Sequence, residues 1–244
     1  MSTELQKDIH KILVEDFSKA MGFNEETGLL PNGKKRFSGM PFIGNDYGKF
    51  SPKILIVGED IGSDERRSDN TYHNFGTKRE CCIRPSKAHL FGTYITALYL
   101  LKEIAPFNYM WQENFSNKTA TLALKTLNTE QIQMIADTIS LTNLHKFVTV
   151  SREGKSGGDD RIWIDHDKEF VTFIEEVKCF APDIIILQAI NSMTNEDIEQ
   201  IKQAAGGASV YKLTHPSTRK RGGRIVHNLI INPLREQGYK EEIL

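Results

Sequence analysis

Strand-like runs that end in polar residues recur along this chain and alternate with segments of helical periodicity. The strand-like runs cover 54–57, 139–142, 183–187 and 208–214. The helical segments, in which apolar residues recur every three or four positions, are 89–104, 128–139, 167–180 and 194–205. Strands that alternate with helices favour a parallel sheet with helices on both faces. The sequence therefore predicts a three-layer α/β/α fold around a mainly parallel four-stranded sheet.

The residues before the first strand-like run have a different character. Apolar residues at helical spacing predict an amphipathic helix over 3–21, and the many Gly, Pro and Asn residues of 24–52 predict an ordered loop over the sheet. No internal repeat, low-complexity tract or linker divides the chain. We therefore expect a single domain over 1–244, in which 1–52 form the helix and covering loop and 53–223 form the motif-bearing core.

Composition limits the classes of protein to which the chain can belong. It is 39% hydrophobic and 26% charged with a formal net charge of −1, so a nucleic-acid partner must be held by a local basic patch. Three cysteines without C-x-x-C spacing fit neither a disulfide framework nor a zinc site. The N-terminus has no signal-peptide pattern, and no apolar run approaches the ~18 residues of a membrane span. These features predict a cytoplasmic protein that does not enter a membrane.

Polar residues follow each strand-like run. In open α/β sheets the ligand crevice lies outside the carboxyl ends of the strands. The residues at these positions are Gly58, Glu59, Asp60, Asn143, Gln188, His215, Pro216 and Ser217. Carboxylates, an amide and an imidazole at one edge exceed what a core needs, and such groups together suit a site that binds a polar planar ring.

Three of these strand ends resemble the motifs of the uracil-DNA glycosylase superfamily. The motifs are GEDIG at 58–62, TNLHKF at 142–147 and THPST at 214–218, in this order and each at a strand end. The family carries a glycine-led loop with an acidic or amide residue after its first core strand and an H-P-S motif after its last. The resemblance covers about residues 53–223. The chain differs from the family at Ile61 and Thr218, where proline is frequent, and lacks the four cysteines of the iron-sulfur branches.

The resemblance implies a monofunctional DNA glycosylase that hydrolyses the bond between deoxyribose and uracil or a related deaminated base. It implies no metal and no cofactor. The partner would be DNA, including single strands, and the enzyme would be monomeric. Breaking this bond builds positive charge on the sugar and negative charge on the base, so a carboxylate near C1′ and a donor near the base oxygen lower the barrier. Glu59 or Asp60 would supply the carboxylate, and both stay candidates. His215 would donate to O2 of the base.

The same resemblance assigns base recognition. Asn143 would give its NH2 group to O4 of uracil and accept N3–H. Phe91 would stack on the base, with Phe75 as the reserve candidate, because a flipped base loses its stacking neighbours. Gly58 and Gly62 frame the loop that approaches the base.

A basic run, RKRGGR at 219–224, follows the last motif directly. Ser217, Arg219, Lys220 and Arg221 would contact the phosphates beside the flipped nucleotide. In a chain of this net charge, such a run is equally typical of a solvated turn.

The sequence leaves two other functions open. A protein on the same fold that binds nucleic acid or a base without cleaving it would carry the same motifs, and the changes at Ile61 and Thr218 leave this alternative open. The second alternative is an unrelated nucleotide-binding or hydrolytic α/β enzyme. G-E-D-I-G differs from the phosphate-binding G-x-G-x-x-G pattern, and two acids repel phosphate, which disfavours that reading.

Overall fold

The computed structural model describes residues 2–59, 88–115, 127–149, 163–190, 192–214 and 226–240. In this part of the chain the strands are β1 (Lys35–Phe37), β2 (Phe42–Ile43), β3 (Ile54–Gly58), β4 (Ile139–Asn143), β5 (Phe147–Thr149), β6 (Ile184–Gln188) and β7 (Ser209–Leu213). The α-helices are α1 (Ser2–His10), α2 (Phe17–Met21), α3 (Ala88–Leu100), α4 (Phe107–Phe115), α5 (Thr129–Thr138), α6 (His166–Phe180), α7 (Asn195–Ala204) and α8 (Asn232–Glu236). Two π-helical segments are Lys11–Asp16 and His227–Ile231.

The main sheet has five strands in the order β2-β4-β3-β6-β7. The strands β3, β4, β6 and β7 run parallel, whereas β2 pairs antiparallel with β4 at one edge. The predicted α/β class with a mainly parallel sheet is confirmed. The expectation of four strands is wrong, because the fifth strand is only two residues long and lies in the segment predicted to be a loop.

The same segment contributes to a second, smaller sheet. Strand β1 pairs antiparallel with β5, which directly follows β4 and its short turn. Strands β1 and β2 are three and two residues long, too short for an alternating pattern to stand out among turn-forming residues. The covering segment 24–52 is therefore partly paired strand rather than loop alone.

Helices lie on both faces of the main sheet. One core contains Ile54 and Ile56 together with helices α3, α4 and α5 and the segment around α8. The other contains Leu55 and Val57 together with α1, α2, α6 and α7. Successive side chains on a strand point to opposite faces, so β3 supplies alternate residues to the two cores. We call these the α3-side core and the α6-side core.

Local signals explain where the helices on the two faces begin. Asn128 and Gln131 form a capping box at the start of α5, and the Asp165 side chain accepts the N–H of Lys168 at the start of α6; both satisfy backbone donors that a first helical turn leaves free. None of the helices in the described part of the chain has the length and apolar character needed to cross a membrane.

Candidate functional site

The carboxyl ends of three neighbouring strands place Asn143, Gly58 and Gln188 at one level. Gly58 of β3 is the register partner of Asn143 of β4. On the other side of β3, Val57 is the partner of Leu187 in β6, so the next residues, Gly58 and Gln188, are also level. We call Asn143, Gly58 and Gln188 the rim row.

All three members of the rim row belong to the face of the sheet that α3 covers. The residues two positions before them, Ile56, Leu141 and Ile186, are buried in the α3-side core. Residues two apart on a strand share a face. The two amide side chains therefore lie on the same side of the sheet, with a glycine between them.

The rim row lies where the strand connections change faces. After β3 the chain reaches β4 through α3, α4 and α5 on one face, whereas after β6 it reaches β7 through α7 on the other. In open parallel sheets, ligands bind outside the carboxyl ends of the strands at such a switch point. The topology thus points to the space above β3 and β6 as the ligand crevice.

Asn143 leans toward the neighbouring strand. A Cβ atom built on Gly58 would lie 2.6 Å from Oδ1 of Asn143 and 3.8 Å from its Cγ. Asn143 is half-buried, and within the described part of the chain its amide forms no hydrogen bond. Glycine at position 58 therefore leaves room for an amide whose hydrogen-bonding groups are available to a ligand.

Gln188 closes the other side of the rim row. Its Oε1 accepts a hydrogen bond from Oγ1 of Thr93 in α3 at 2.9 Å. Both residues are buried, with 8% of Gln188 and 4% of Thr93 exposed. This bond ties the beginning of α3 to the end of β6. The sequence predicts Gln188 at a strand end without a role, and no signal in the sequence links it to Thr93.

Glu59 is the acid directly after the rim row. It is half-buried, and its backbone carbonyl accepts the N–H of His145 at 3.0 Å, as the carbonyl of Gly58 accepts the N–H of Leu144 at 2.8 Å. These bonds extend the pairing of β3 with the β4 segment beyond the strand ends. The main chain at Glu59 is therefore fixed beside the residues that follow Asn143.

A buried ion pair anchors the segment that carries Asn143. Nζ of Lys146 lies 2.5 Å from Oε2 of Glu176 in α6, and both side chains are completely buried. Thr142 joins them, because its Oγ1 donates to Oε1 of Glu176 at 2.6 Å and accepts from Nζ of Lys146 at 3.0 Å. Asn143 thus lies between two residues, Thr142 and Lys146, that are held by the same carboxylate.

Burial is the main influence on the pKa values of two acids on α6. It raises the pKa of Glu176, against the opposing effects of Lys146 and Thr142. It also raises the pKa of Glu169, whose Oε1 accepts the N–H groups of Ile164 and Asp165 at 2.6 and 3.1 Å. Both acids belong to the support behind the rim row rather than to the rim itself.

The covering segment seals this support from water. A Cβ built on Gly39 would lie 2.5 Å from Cδ of Lys146 and 2.9 Å from a ring carbon of Phe37. The N–H of Ser38 donates to the carbonyl of Lys146 at 2.7 Å. The aliphatic part of the lysine is therefore packed directly under the backbone that joins β1 to β2, which explains how its charge comes to be buried.

Phe91 also lies within the described part of the chain. Phe91 belongs to helix α3, two positions before Thr93, and its role as a stacking ring stays a prediction. The remaining assigned residues lie outside the described residues: Asp60, Gly62, His215, Ser217, Arg219, Lys220 and Arg221, with the reserve candidate Phe75. The structure thus brings together Gly58, Glu59 and Asn143 from the predicted set, and adds Gln188 and Thr93.

Comparison with known proteins adds no relative. No protein-family model, no curated protein and no solved structure matches this chain. The resemblance to uracil-DNA glycosylases therefore rests on the three motifs. Two of these motifs lie at the carboxyl ends of β3 and β4, at the rim row. Among the described residues, no three His, Cys, Asp or Glu side chains form a group that could hold a metal ion.

The close approach of Gly58 and Asn143 gives a first testable prediction. Gly58→Ala is expected to displace the Asn143 amide while changing the free energy of unfolding by less than about 1 kcal/mol, since a side-chain end can move and alanine suits a strand better than glycine. The side-chain NH2 resonances of Asn143 and urea unfolding would measure the two effects.

Gly44→Ala is the matched comparison. Its Cβ would collide with the backbone carbonyls of Ala136 and Asp137, which cannot rotate away, so this variant should be strongly destabilised. Unmoved Asn143 resonances in Gly58→Ala would show that the amide does not lie over Gly58.

Proposed function

We propose that this protein is a DNA glycosylase that hydrolyses the N-glycosidic bond of uracil or a related deaminated base in DNA. The observation that carries the proposal is the placement of Asn143. Its amide lies across Gly58, at the point where the strand connections change faces. Glu59 follows Gly58 in the chain. An amide at the carboxyl end of a strand suits recognition of a planar base, and an adjacent carboxylate suits chemistry at the sugar.

The amide of Asn143 supports a choice between bases. It offers a donor, Nδ2, and an acceptor, Oδ1, side by side. Uracil presents the complementary acceptor O4 and donor N3–H, whereas cytosine presents a donor at N4 and an acceptor at N3. Each unmatched buried polar group costs about 1–3 kcal/mol, so an amide with a fixed orientation favours uracil over cytosine.

The support behind Asn143 holds its main chain in place. The residue before it and the residue three positions after it are both bonded to Glu176 in the α6-side core. Discrimination by hydrogen bonding requires that the protein group cannot turn to suit the wrong base. The buried ion pair holds the main chain on both sides of Asn143, which limits the positions that its amide can take.

The chemistry proposed at the sugar is hydrolysis. The bond between N1 of uracil and C1′ breaks with its electron pair passing to the base, and water oxygen forms a new bond to C1′ while its proton is lost to a carboxylate. The departing base anion takes up a proton from water at N1, so free base and an abasic site are the products. Glu59 or Asp60 would stabilise the positive charge on the sugar and orient the water, and a donor at O2 would stabilise the departing base.

The two carboxylates give the prediction that tests this function. Of Glu59→Gln and Asp60→Asn, one is expected to slow base release about a hundredfold or more, because a neutral amide cannot stabilise the charge on the sugar. The other should have a much smaller effect. The measurement is the single-turnover rate on a uracil-containing oligonucleotide, read from alkali-labile abasic sites, with DNA affinity measured in parallel.

Glu130→Gln removes an exposed acid at the start of α5 and should leave the rate unchanged. An active wild type that neither substitution slows would remove both acids from the mechanism. A wild type that binds uracil-containing DNA without releasing base would instead favour a binding protein on the same fold.

A further inference from the structure

Gln188 lies across Gly58 from Asn143, and the two amides face the same space. They end the strands on either side of β3 at the same level. Neighbouring strands are about 4.8 Å apart, so the two Cα atoms are separated by about 10 Å. Glycine between them has no side chain of its own, and Oδ1 of Asn143 extends over it. The rim row therefore presents two amides on one side of the sheet, and we call the space above it the slot.

The hydroxyl group of Thr93 fixes which end of the Gln188 amide faces the slot. Oγ1 of Thr93 donates to Oε1 of Gln188 at 2.9 Å, so the acceptor end of the amide is engaged. Among the described residues, Nε2 of Gln188 has no acceptor. A buried amide whose oxygen is held by a hydroxyl group keeps its NH2 group for another partner.

In the structure, the three polar groups along the rim row have the following order. Oδ1 is the Asn143 atom nearest to the Gly58 position, so it lies on the side that faces Gln188, with Nδ2 beyond it. Reading along the row from β4 to β6, the protein offers a donor at Nδ2, an acceptor at Oδ1 and a donor at Nε2. This order is complementary to a planar edge that carries an acceptor, a donor and an acceptor.

We propose that Gln188 is a second base-reading residue, which donates Nε2–H to the carbonyl oxygen at the 2-position of the base. The inference rests on the proposed function, because it assumes that the slot takes a base. Uracil presents O4, N3–H and O2 in the required order, and xanthine presents the same pattern through O6, N1–H and O2. Hypoxanthine lacks the 2-carbonyl group.

A hydrogen bond to O2 does more than select the base. The electron pair of the broken glycosidic bond passes into the ring that carries O2, so negative charge grows on this oxygen during the reaction. A donor placed there stabilises the departing base. A carbonyl oxygen has two lone pairs, so the predicted contact of His215 with O2 is compatible with one from Gln188.

Free bases provide a direct test, since they require neither a DNA strand nor bond cleavage. Uracil and the 3H tautomer of pyrimidin-4-one present the same O4 and N3–H on a six-membered ring, and only uracil carries an oxygen at position 2. The dissociation constants of both for the full-length protein would be measured by NMR titration. Wild type is expected to bind uracil about fivefold to tenfold more tightly, the ratio that one net hydrogen bond gives.

Two substitutions separate the donor from the fold. Gln188→Leu removes the donor and should bring the ratio of the two dissociation constants to about one. Gln188→Glu keeps an oxygen that accepts from Thr93 and places a second acceptor opposite O2, so it should favour pyrimidin-4-one. Gln203→Glu introduces the same charge at an exposed position of α7 and should keep the wild-type ratio, and thermal unfolding would confirm that each variant is folded.

Each result of these titrations either supports or overturns the inference. A wild type that does not bind uracil more tightly than pyrimidin-4-one, or that binds neither base, overturns the inference, as does a uracil preference that survives in both Gln188 variants. Failure of the proposed function is a separate result. A protein that prefers uracil through Gln188 but releases no base from DNA would support the second base-reading residue and contradict the glycosylase.

Discussion

Lys146→Met is expected to lower the free energy of unfolding by about 3–5 kcal/mol, because it leaves a buried carboxylate without its counter-charge. Methionine fills much of the same space, so the loss reflects charge more than volume. Glu176 would keep only its hydrogen bond from Thr142. The measurement is urea unfolding of both proteins at about pH 8, where carboxyl groups in the unfolded chain are ionised.

The loss should shrink as the pH falls. Burial already raises the pKa of Glu176 while Lys146 holds it down, so removing the lysine raises this pKa further. A carboxyl group whose folded pKa lies above its unfolded value contributes stability that is lost as pH rises through the folded pKa. The variant should therefore regain stability between about pH 8 and about pH 5, as Glu176 becomes protonated.

Two further variants make the comparison decisive. Lys178→Met removes an ion pair of similar length, 2.6 Å, from the same helix, but Lys178 and its partner Glu175 are about half exposed, so the loss should stay below about 1 kcal/mol. Adding Glu176→Leu to Lys146→Met should recover a large part of the stability, since no buried charge is left unpaired. Equal losses in Lys146→Met and Lys178→Met would contradict the assigned role of the pair.

The ion pair also connects stability with the site. Thr142 and Lys146 flank Asn143 and share the carboxylate of Glu176, so the position of the Asn143 amide depends on a contact in the α6-side core. We expect Lys146→Met to broaden the side-chain NH2 resonances of Asn143 even in the fraction of protein that stays folded.

The strands of the parallel sheet could be predicted because their signal is local. Residues 54–57 and 183–187 form nearly continuous apolar runs, as expected for strands that are buried on both faces. The position of Asn143 and Gly58 at one edge followed from the rule that parallel strands end together. Their register, and thus their close approach, required the structure.

Contacts between residues far apart in the chain could not be predicted. Lys146 and Glu176 are separated by 30 positions, and Thr93 and Gln188 by 95. A buried lysine and an exposed lysine look the same in a sequence, and amphipathic spacing in α6 gives no sign that Glu169 and Glu176 face inward. Helix α4 was also missed, because Tyr109, which is 70% exposed, adds an aromatic residue to its polar side and blurs the periodicity.

Asn143→Asp is expected to abolish most uracil excision and to create weak excision of cytosine. The carboxylate keeps the shape of the amide but replaces its donor by an acceptor, so O4 of uracil would face an oxygen while N4 of cytosine would gain a partner. One unmatched buried group costs about 1–3 kcal/mol and repulsion from a charge adds to it, so uracil excision should fall by about a hundredfold or more. The measurement is base release from matched uracil and cytosine oligonucleotides.

Asn32→Asp is the control, because it introduces the same charge at an exposed turn where Oδ1 accepts the N–H of Lys34, a role that a carboxylate retains. It should leave both rates unchanged. The close fit of Asn143 over Gly58 makes the expected result specific, since a carboxylate at this position lies level with the floor of the slot and cannot avoid the edge of the base. An Asn143→Asp protein that keeps the wild-type preference for uracil would therefore place base recognition elsewhere, and the rim row would lose its assigned function.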